Sequence, residues 1–424
     1  MLFTIATFAS VMLIGAAVVQ QLISVKLQRS FQQLEFRRLA VHLQDRVAVL
    51  MSVRGCDPSF EKSLLGVLNQ DYKNYEIFLV VDHQSDPAWQ FAQQIKELHD
   101  THDRLKIEVM SNPGPNCSLK CHSLVQAFHK MVSVSDKLPE YMVLLDGDVV
   151  PHKTWLAELV APLLISTVGG VTGNQWFEPP RGSGMGTLCR SAWNSGSMIL
   201  AINFCNPWAG SFAMRTQDAI QAKLPEIWSR SAVDDGPLAK AIHGLGKRIV
   251  FAPSIIMVNR EPCTVGYVLR WTTRMLTWSR LYEGTFFLTV LHAVFSNMVM
   301  VANFVMLFVG LIYFQWGATL ISLLGLIISG ILSAWSYQVS RKCVARSCEL
   351  RSESLSPIAW QRLTAVFWLI APAHLIYGFS CARSLLWKQI QWRGINYQLI
   401  GGSQIQRIDY QPFEGGQGPA NVSI

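Results

Sequence analysis

The sequence predicts an α/β domain built on a mostly parallel, Rossmann-like sheet and joined to transmembrane or interfacial helices. Three observations predict it. Short runs rich in Val, Ile, Leu and Tyr alternate with helical patterns through the middle of the chain. Two of those runs end abruptly in an aspartate. Long apolar stretches flank this region, in a chain of 424 residues that is 50% hydrophobic and only 15% charged.

The elements follow in order. Leu2 to Leu22 carries no charge and is long enough to cross a bilayer. A cleaved signal peptide is the competing reading. No basic residue precedes the apolar run and no A-x-A site ends it, so a retained anchor over residues 1–25 is expected. Lys26, Arg29, Arg37, Arg38 and Arg46 come next, which by the positive-inside rule turns the middle region toward the cytoplasm. Strands are expected at Val47–Val53, Tyr75–Val81, Lys106–Met110 and Tyr141–Leu145, with helices at Phe60–Asn69, Trp89–His99 and Cys121–Val134. Alternation of this kind implies a parallel sheet covered on both faces, whose ligands bind beyond the carboxyl ends of the strands. A helix near Pro237–His243 and a strand at Arg248–Ala252 close the domain, placed at residues 45–260.

Residues 261–284 read as an interfacial helix, and residues 285–386 as membrane helices with apolar runs at Phe286–Phe314, Ala318–Tyr337 and Leu363–Leu385. Arg341, Lys342, Arg346 and Arg351 put the loop after the third run on the side of the middle region. A tail spans residues 387–424; after Gly401 it is polar and glycine-rich, and that part is expected to be loosely ordered. Four crossings would set Trp392–Tyr397 opposite the catalytic domain. If that segment serves the site, one run does not cross, and the last, with Pro372 and His374, is the candidate for lying in the interface or re-entering.

The net charge of +8 fits basic flanks against anionic lipid headgroups. No basic stripe interleaved with stacking aromatics speaks for nucleic acid. Among nine cysteines, Cys117 and Cys121 lie near His122, but no second ligand pair with zinc-finger spacing follows, so reduced thiols are expected. Gly182–Gly186, "GSGMG", lacks the strand-to-helix setting of a dinucleotide fingerprint.

Two acidic motifs carry the chemistry. In "YMVLLDGDVVPHKTW", Asp146 and Asp148 follow a buried strand, with Asp82 ending the similar run "YEIFLVVD". Carboxylates this close repel each other, and a divalent cation bridging to a phosphate offsets that repulsion; Gly147 leaves room for close approach. The alternative is a solvated polar turn. Asp234 and Asp235 precede a helix, where they either favour its dipole or supply a general base with a raised pKa. In "YVLRWTTRM", Arg270 offers a fixed cation for a leaving diphosphate and Trp271 a packing surface for a sugar or acyl chain; both also suit an interfacial anchor.

With these residues in this order, the chain resembles the membrane-bound inverting GT-A glycosyltransferases of the family-2 type, and more closely the ceramide glucosyltransferases. "GCDPSFEKSLLGVLNQDYKNYEIFLVVDHQSDPAW", "VDDGPLAKAIHGLGKRIVFA" and "IQWRGINYQLIGG" carry the resemblance, which spans roughly Val47 to Gly402. It implies a GT-A domain, a UDP-sugar donor, a Mn²⁺ or Mg²⁺ ion, a membrane lipid acceptor such as ceramide, and a multi-pass protein with its catalytic domain in the cytoplasm. Carried over, Asp82 contacts uridine, Asp146 and Asp148 hold diphosphate and metal, and Asp235 is the base, supported by Asp234. Arg270 and Trp271 match the end of the family's Q-x-x-R-W motif, with Tyr267 in place of the glutamine. Tyr267, Trp271, Trp392 and Arg393 make the acceptor region. Asn116 and Lys120 match the family's N-x-K segment only loosely, and "VTGNQWFEPP" diverges on the acceptor side. Other readings are transfer to a different lipid (a hopanoid, diacylglycerol or polyprenyl phosphate), a processive polysaccharide synthase, and a membrane scaffold without activity.

Overall fold

A computed structural model describes residues 1–31, 44–134, 137–355, 360–401 and 403–414. Arg37, Arg38 and Gly402 lie outside the described residues. The chain forms two compact units. One comprises Met1–Gln32, Trp176–Phe204 and Val258–Leu386; the other comprises Gln33–Gln175, Cys205–Met257 and Trp387–Ile424.

The second unit holds a seven-stranded sheet in the order β3-β2-β1-β4-β6-β5-β7. Its strands are β1 (Val47–Val53), β2 (Tyr75–Val81), β3 (Leu105–Val109), β4 (Tyr141–Leu145), β5 (Val168–Phe177), β6 (Ser211–Arg215) and β7 (Arg248–Asn259). β3, β2, β1 and β4 run parallel; β6 is antiparallel to both β4 and β5. The α/β architecture with a mostly parallel sheet is as the sequence predicts. β1, β2 and β4 are apolar almost without interruption because helices cover both faces. Among those helices are α2 (Phe60–Leu68), α3 (Pro87–His99) and α4 (Leu119–Val134). Phe60, Leu64 and Val67 on α2 pack with Met51, Leu79 and Val143 from the strands. Burying each such side chain contributes roughly 1.5–3 kcal/mol. α3 starts at Pro87, two residues ahead of the expected start, and is capped by Asp86, which accepts the Ala88 N–H at 2.9 Å.

β5, β6 and the full length of β7 are absent from the sequence reading. β5 reads "VGGVTGNQWF", and its three glycines weaken any strand pattern. The tail departs further from expectation. An antiparallel sheet is formed by β8 (Gln389–Trp392), β9 (Ile395–Gly401) and β10 (Gln404–Arg407). The expected looseness after Gly401 is therefore corrected for residues 403–414; residues 415–424 lie outside the described ones. The physical reason is the alternation of Ile390, Ile395, Tyr397 and Ile405, all buried, with polar residues facing out.

The first unit is helical. Beyond α1 (Leu2–Ser30), helices α5 (Trp155–Val160), α7 (Thr216–Gln221), α8 (Leu224–Trp228) and α9 (Leu238–Gly244) belong to the sheet unit, while α6 (Met185–Asn203), α10 (Val265–Tyr282), α11 (Phe286–Ile312), α12 (Trp316–Glu349) and α13 (Trp360–Leu386) join α1. Four of these helices are long and apolar enough to cross a membrane: Leu2–Arg29, Phe286–Ile312, Trp316–Glu349 and Leu363–Leu386. Polar side chains tie them together, as expected where lipid gives no hydrophobic drive. Ser10 Oγ donates to Asn303 Oδ1 at 2.8 Å, and Gln21 Nε2 to Ser336 Oγ at 2.7 Å.

Arg341, a positive-inside residue in the sequence, is buried and forks onto Glu178, with Nη2 donating to Oε1 at 2.8 Å. Trp176 Nε1 donates to the same carboxylate at 2.9 Å. Removing one partner strands a buried charge. Glu178→Gln is therefore expected to cost about 3–5 kcal/mol, while the double change Glu178→Gln with Arg341→Met costs less than Arg341→Met and Glu178→Gln added together. Thermal unfolding of the three variants in the same detergent checks this.

Candidate functional site

The sheet order explains why the acidic residues meet. β1, β2 and β4 are adjacent and parallel, so their carboxyl ends lie side by side. β1 delivers Arg54 and Asp57, β2 delivers Asp82, and β4 delivers Asp146 and Asp148. Gly147 lies so close to β1 that an added Cβ would stand 2.9 Å from Val53 Cγ2.

Lys120, in the first turn of α4, joins the two acidic motifs. Its Nζ lies 2.6 Å from Asp146 Oδ1 and 2.9 Å from Asp234 Oδ2. Burial works against this ammonium, but the two carboxylates outweigh it and hold its pKa above the usual lysine value. The loops behind both motifs are tied together, since the Ser118 N–H donates to Ser231 O at 3.0 Å and Trp228 Nε1 to Asp234 O at 2.9 Å. Asp235 starts the turn into α9, where its carbonyl accepts the Leu238 N–H at 3.0 Å.

Four carboxylates around one ammonium leave charge uncompensated. Burial, then repulsion from Asp146 and Asp57, pushes Asp148 up to about 7, with Arg393 and Lys120 pulling the other way. Burial, then repulsion from Asp234, pushes Asp235 up to about 7 against the pull of Lys120. Burial also raises Asp234, with Lys120 opposing. A carboxylate raised toward neutrality suits a general base.

Asp82 is buried and ion-paired to Arg54 Nη1. Its Oδ2 also accepts the Phe413 N–H at 2.9 Å, whereas Oδ1 is buried without a hydrogen-bond partner among the described residues. Arg54 lies under the rings of Phe413 and Tyr410, at 5.4 and 5.9 Å, so residues beyond β10 cover this end of the sheet. Arg393 also belongs here. Its Nη2 donates to Asp57 Oδ2 at 2.5 Å and its Nη1 to Arg54 O at 2.5 Å. Trp392 lies beneath its guanidinium, 5.7 Å from ring centroid to Cζ.

Arg270, Trp271 and Tyr267 lie on α10, in the other unit. Arg270 is exposed and has no ion pair or hydrogen bond among the described residues. Trp271 meets Phe177 and Trp193 edge-on, at 5.4 and 5.1 Å. Tyr267 lies 5.7 Å from the Arg190 guanidinium, which also covers Phe177 at 4.2 Å. "GSGMG" has a packing role here: a Cβ on Gly186 would stand 2.3 Å from the Thr264 backbone, just where α10 begins.

Sequence reasoning missed Arg54 and Asp57 and undervalued Lys120. The available signal for the first two was position, since both follow the carboxyl end of β1. None of the nine cysteines forms a disulfide, and no group of three or more His, Cys, Asp or Glu among the described residues could hold a metal by itself. Two carboxylates do fit a cation that completes its shell with substrate phosphates and water, the usual habit of Mg²⁺.

The model of glycosyl transferase family 21 matches residues 8–188 and 230–405. The chain belongs to glycosyl transferase family 21. This glycosyltransferase thus carries both acidic motifs, Arg270, Trp271 and the β8–β9 segment within the matched residues. No curated protein matches it. Among solved structures, the family 21 chain is similar to the mannosyltransferase PcManGT from Pyrobaculum calidifontis in complex with GDP-Man and Mn²⁺: 15% identity, TM-score 0.46, 91% of this chain and 99% of that one covered. It is also similar to glucosyl-3-phosphoglycerate synthase from Mycobacterium tuberculosis, at 16% identity and TM-score 0.33, with 58% and 80% of the two chains covered.

Proposed function

We propose that this family 21 glycosyltransferase moves a sugar, glucose by resemblance, from a UDP-sugar to the hydroxyl of a membrane lipid such as ceramide. The product is a β-glycolipid made at the cytoplasmic face. The observation that carries this reading is the meeting of Asp146 and Asp148 with Asp234 and Asp235 around Lys120, beyond the carboxyl ends of parallel strands.

Asp235 accepts the proton of the acceptor hydroxyl, and the oxygen attacks the anomeric carbon opposite the leaving UDP. Attack from that face turns an α-linked donor into a β-linked product. Asp234 holds Lys120 and sets the charge beside the base. Asp82 reads the uracil, whose N–H would satisfy the unpartnered Oδ1. Asp146 and Asp148 would hold Mn²⁺ or Mg²⁺, which when bound neutralises charge on the diphosphate. Arg270 adds a planar cation for the same charge, and the Trp271–Tyr267 region receives the lipid.

Metal dependence tests the role of the pair. In lipid nanodiscs with a UDP-sugar and ceramide, EDTA is expected to abolish transfer and excess Mn²⁺ or Mg²⁺ to restore it. Full transfer in chelator would remove Asp146 and Asp148 from that role.

A further inference from the structure

The β8–β9 turn combines features that a peripheral hairpin does not need. Trp392 pairs with Ile395, so Arg393 and Gly394 alone make the turn, with φ of +46° and +78°. A two-residue turn with both φ values positive favours Asn-Gly, and a long β-bearing side chain is rare in its first position. Arg393 is held there nonetheless. Its guanidinium bonds to Arg54 O and Asp57, while Arg54 Nε donates back to Arg393 O at 3.0 Å. The two arginines thus clamp each other's backbone at the end of β1. Tyr397 reinforces the placement, because its hydroxyl accepts the Leu119 N–H at 3.3 Å, one residue before Lys120. Two hydrogen bonds use two of the five N–H donors of Arg393, in a cluster where Asp57, Asp146 and Asp148 all act on it.

We infer that the carboxyl-terminal hairpin is a working part of the donor site, with Arg393 binding the diphosphate of the nucleotide sugar. A planar guanidinium beside the Asp146–Asp148 pair meets phosphate oxygens with two parallel bonds, which a lysine does not match. This inference rests on the donor reading above, and it moves Arg393 from the acceptor region to the donor side. It also has a consequence for the membrane. The chain leaves the sheet unit, passes through α11, α12 and α13, and returns to the sheet unit at Trp387. An even number of crossings is required. α11 and α12 are joined by only Tyr313–Gln315 and form a hairpin that crosses twice. α13, the least apolar of the four candidates and interrupted by Pro372, is then the one that does not cross.

Arg393→Asn is the variant of choice, since Asn suits the turn and only the guanidinium is lost. UDP and UMP binding are measured by calorimetry on full-length protein in nanodiscs with Mn²⁺, together with thermal unfolding. The expected result is a tenfold or greater loss of UDP affinity, little change for UMP, and unfolding close to wild type; Arg393→Lys restores only part of the loss. Equal UDP affinity, or UDP and UMP affinities falling together, would overturn the inference. Wild-type protein that binds no UDP would instead refute the donor reading itself. In sealed vesicles, a carboxyl-terminal epitope is expected on the same side as Cys56 of the sheet unit, scored by protease and maleimide access. An epitope on the opposite side would overturn the placement of the hairpin.

Discussion

Asp235→Asn is expected to slow lipid glycosylation by about 10²–10⁴ while leaving UDP-sugar affinity close to wild type. Asn keeps the size and most hydrogen bonding of the carboxylate but takes no proton. Donor contacts are assigned elsewhere, to Asp82, Asp146, Asp148 and Arg393, so binding survives. Asp234→Asn is expected to be milder, since Asp234 acts on Lys120 and on the charge beside the base. The pH profile gives a second readout. If Asp235 is the base, burial and Asp234 push it up to about 7 and it accepts a proton only when ionised, so wild-type kcat/KM should fall roughly tenfold per pH unit below that value. The Asn variant loses that limb. Both raised carboxyls also bear on stability: protonated Asp148 and Asp235 suit burial, so the metal-free protein loses stability as pH rises from about 4 to about 7. Normal turnover by Asp235→Asn would place the base elsewhere.

Arg270→Ala is expected to lower turnover by about 10²–10³, the usual cost of removing one donor aimed at developing charge. Arg270→Lys should recover only part of this, because the ammonium keeps the charge and loses the fork. Arg270 is exposed and free of protein partners among the described residues, so neither change should unfold the protein. Membrane insertion and thermal unfolding serve as controls. Unchanged turnover in both variants would leave Arg270 an interfacial anchor.

The parts legible in the sequence were those with a strong local pattern. β1, β2 and β4 are almost uninterrupted apolar runs, and the aspartates that follow β2 and β4 mark the end of the sheet where the acidic cluster forms. α1, α11, α12 and α13 were legible from length and composition. β3 was displaced by a single residue, Leu105–Val109 against the expected Lys106–Met110, because Leu105 stands between the charged Arg104 and Lys106. β5 was hidden by its glycines. The carboxyl-terminal sheet carried a readable alternation through Ile390, Trp392, Ile395 and Tyr397, but the polar, glycine-rich sequence after Gly401 suggested a loose end and hid β10. Pairings distant in sequence were beyond local patterns altogether. Arg393 with Asp57, Phe413 with Asp82, and Lys120 with both Asp146 and Asp234 exist only once β1, β2 and β4 lie side by side.

The central claim is transfer of one sugar to a lipid hydroxyl with inversion. Mass spectrometry of lipids from cells expressing the wild type or Asp235→Asn, fed isotope-labelled sugar, tests it most directly, with β-specific glycosidase digestion reporting the linkage. The account predicts a new lipid carrying a single labelled hexose in β linkage, ceramide-based, present with the wild type and absent with Asp235→Asn. A labelled polymer, an α-linked product, or no labelled lipid with the wild type would contradict it.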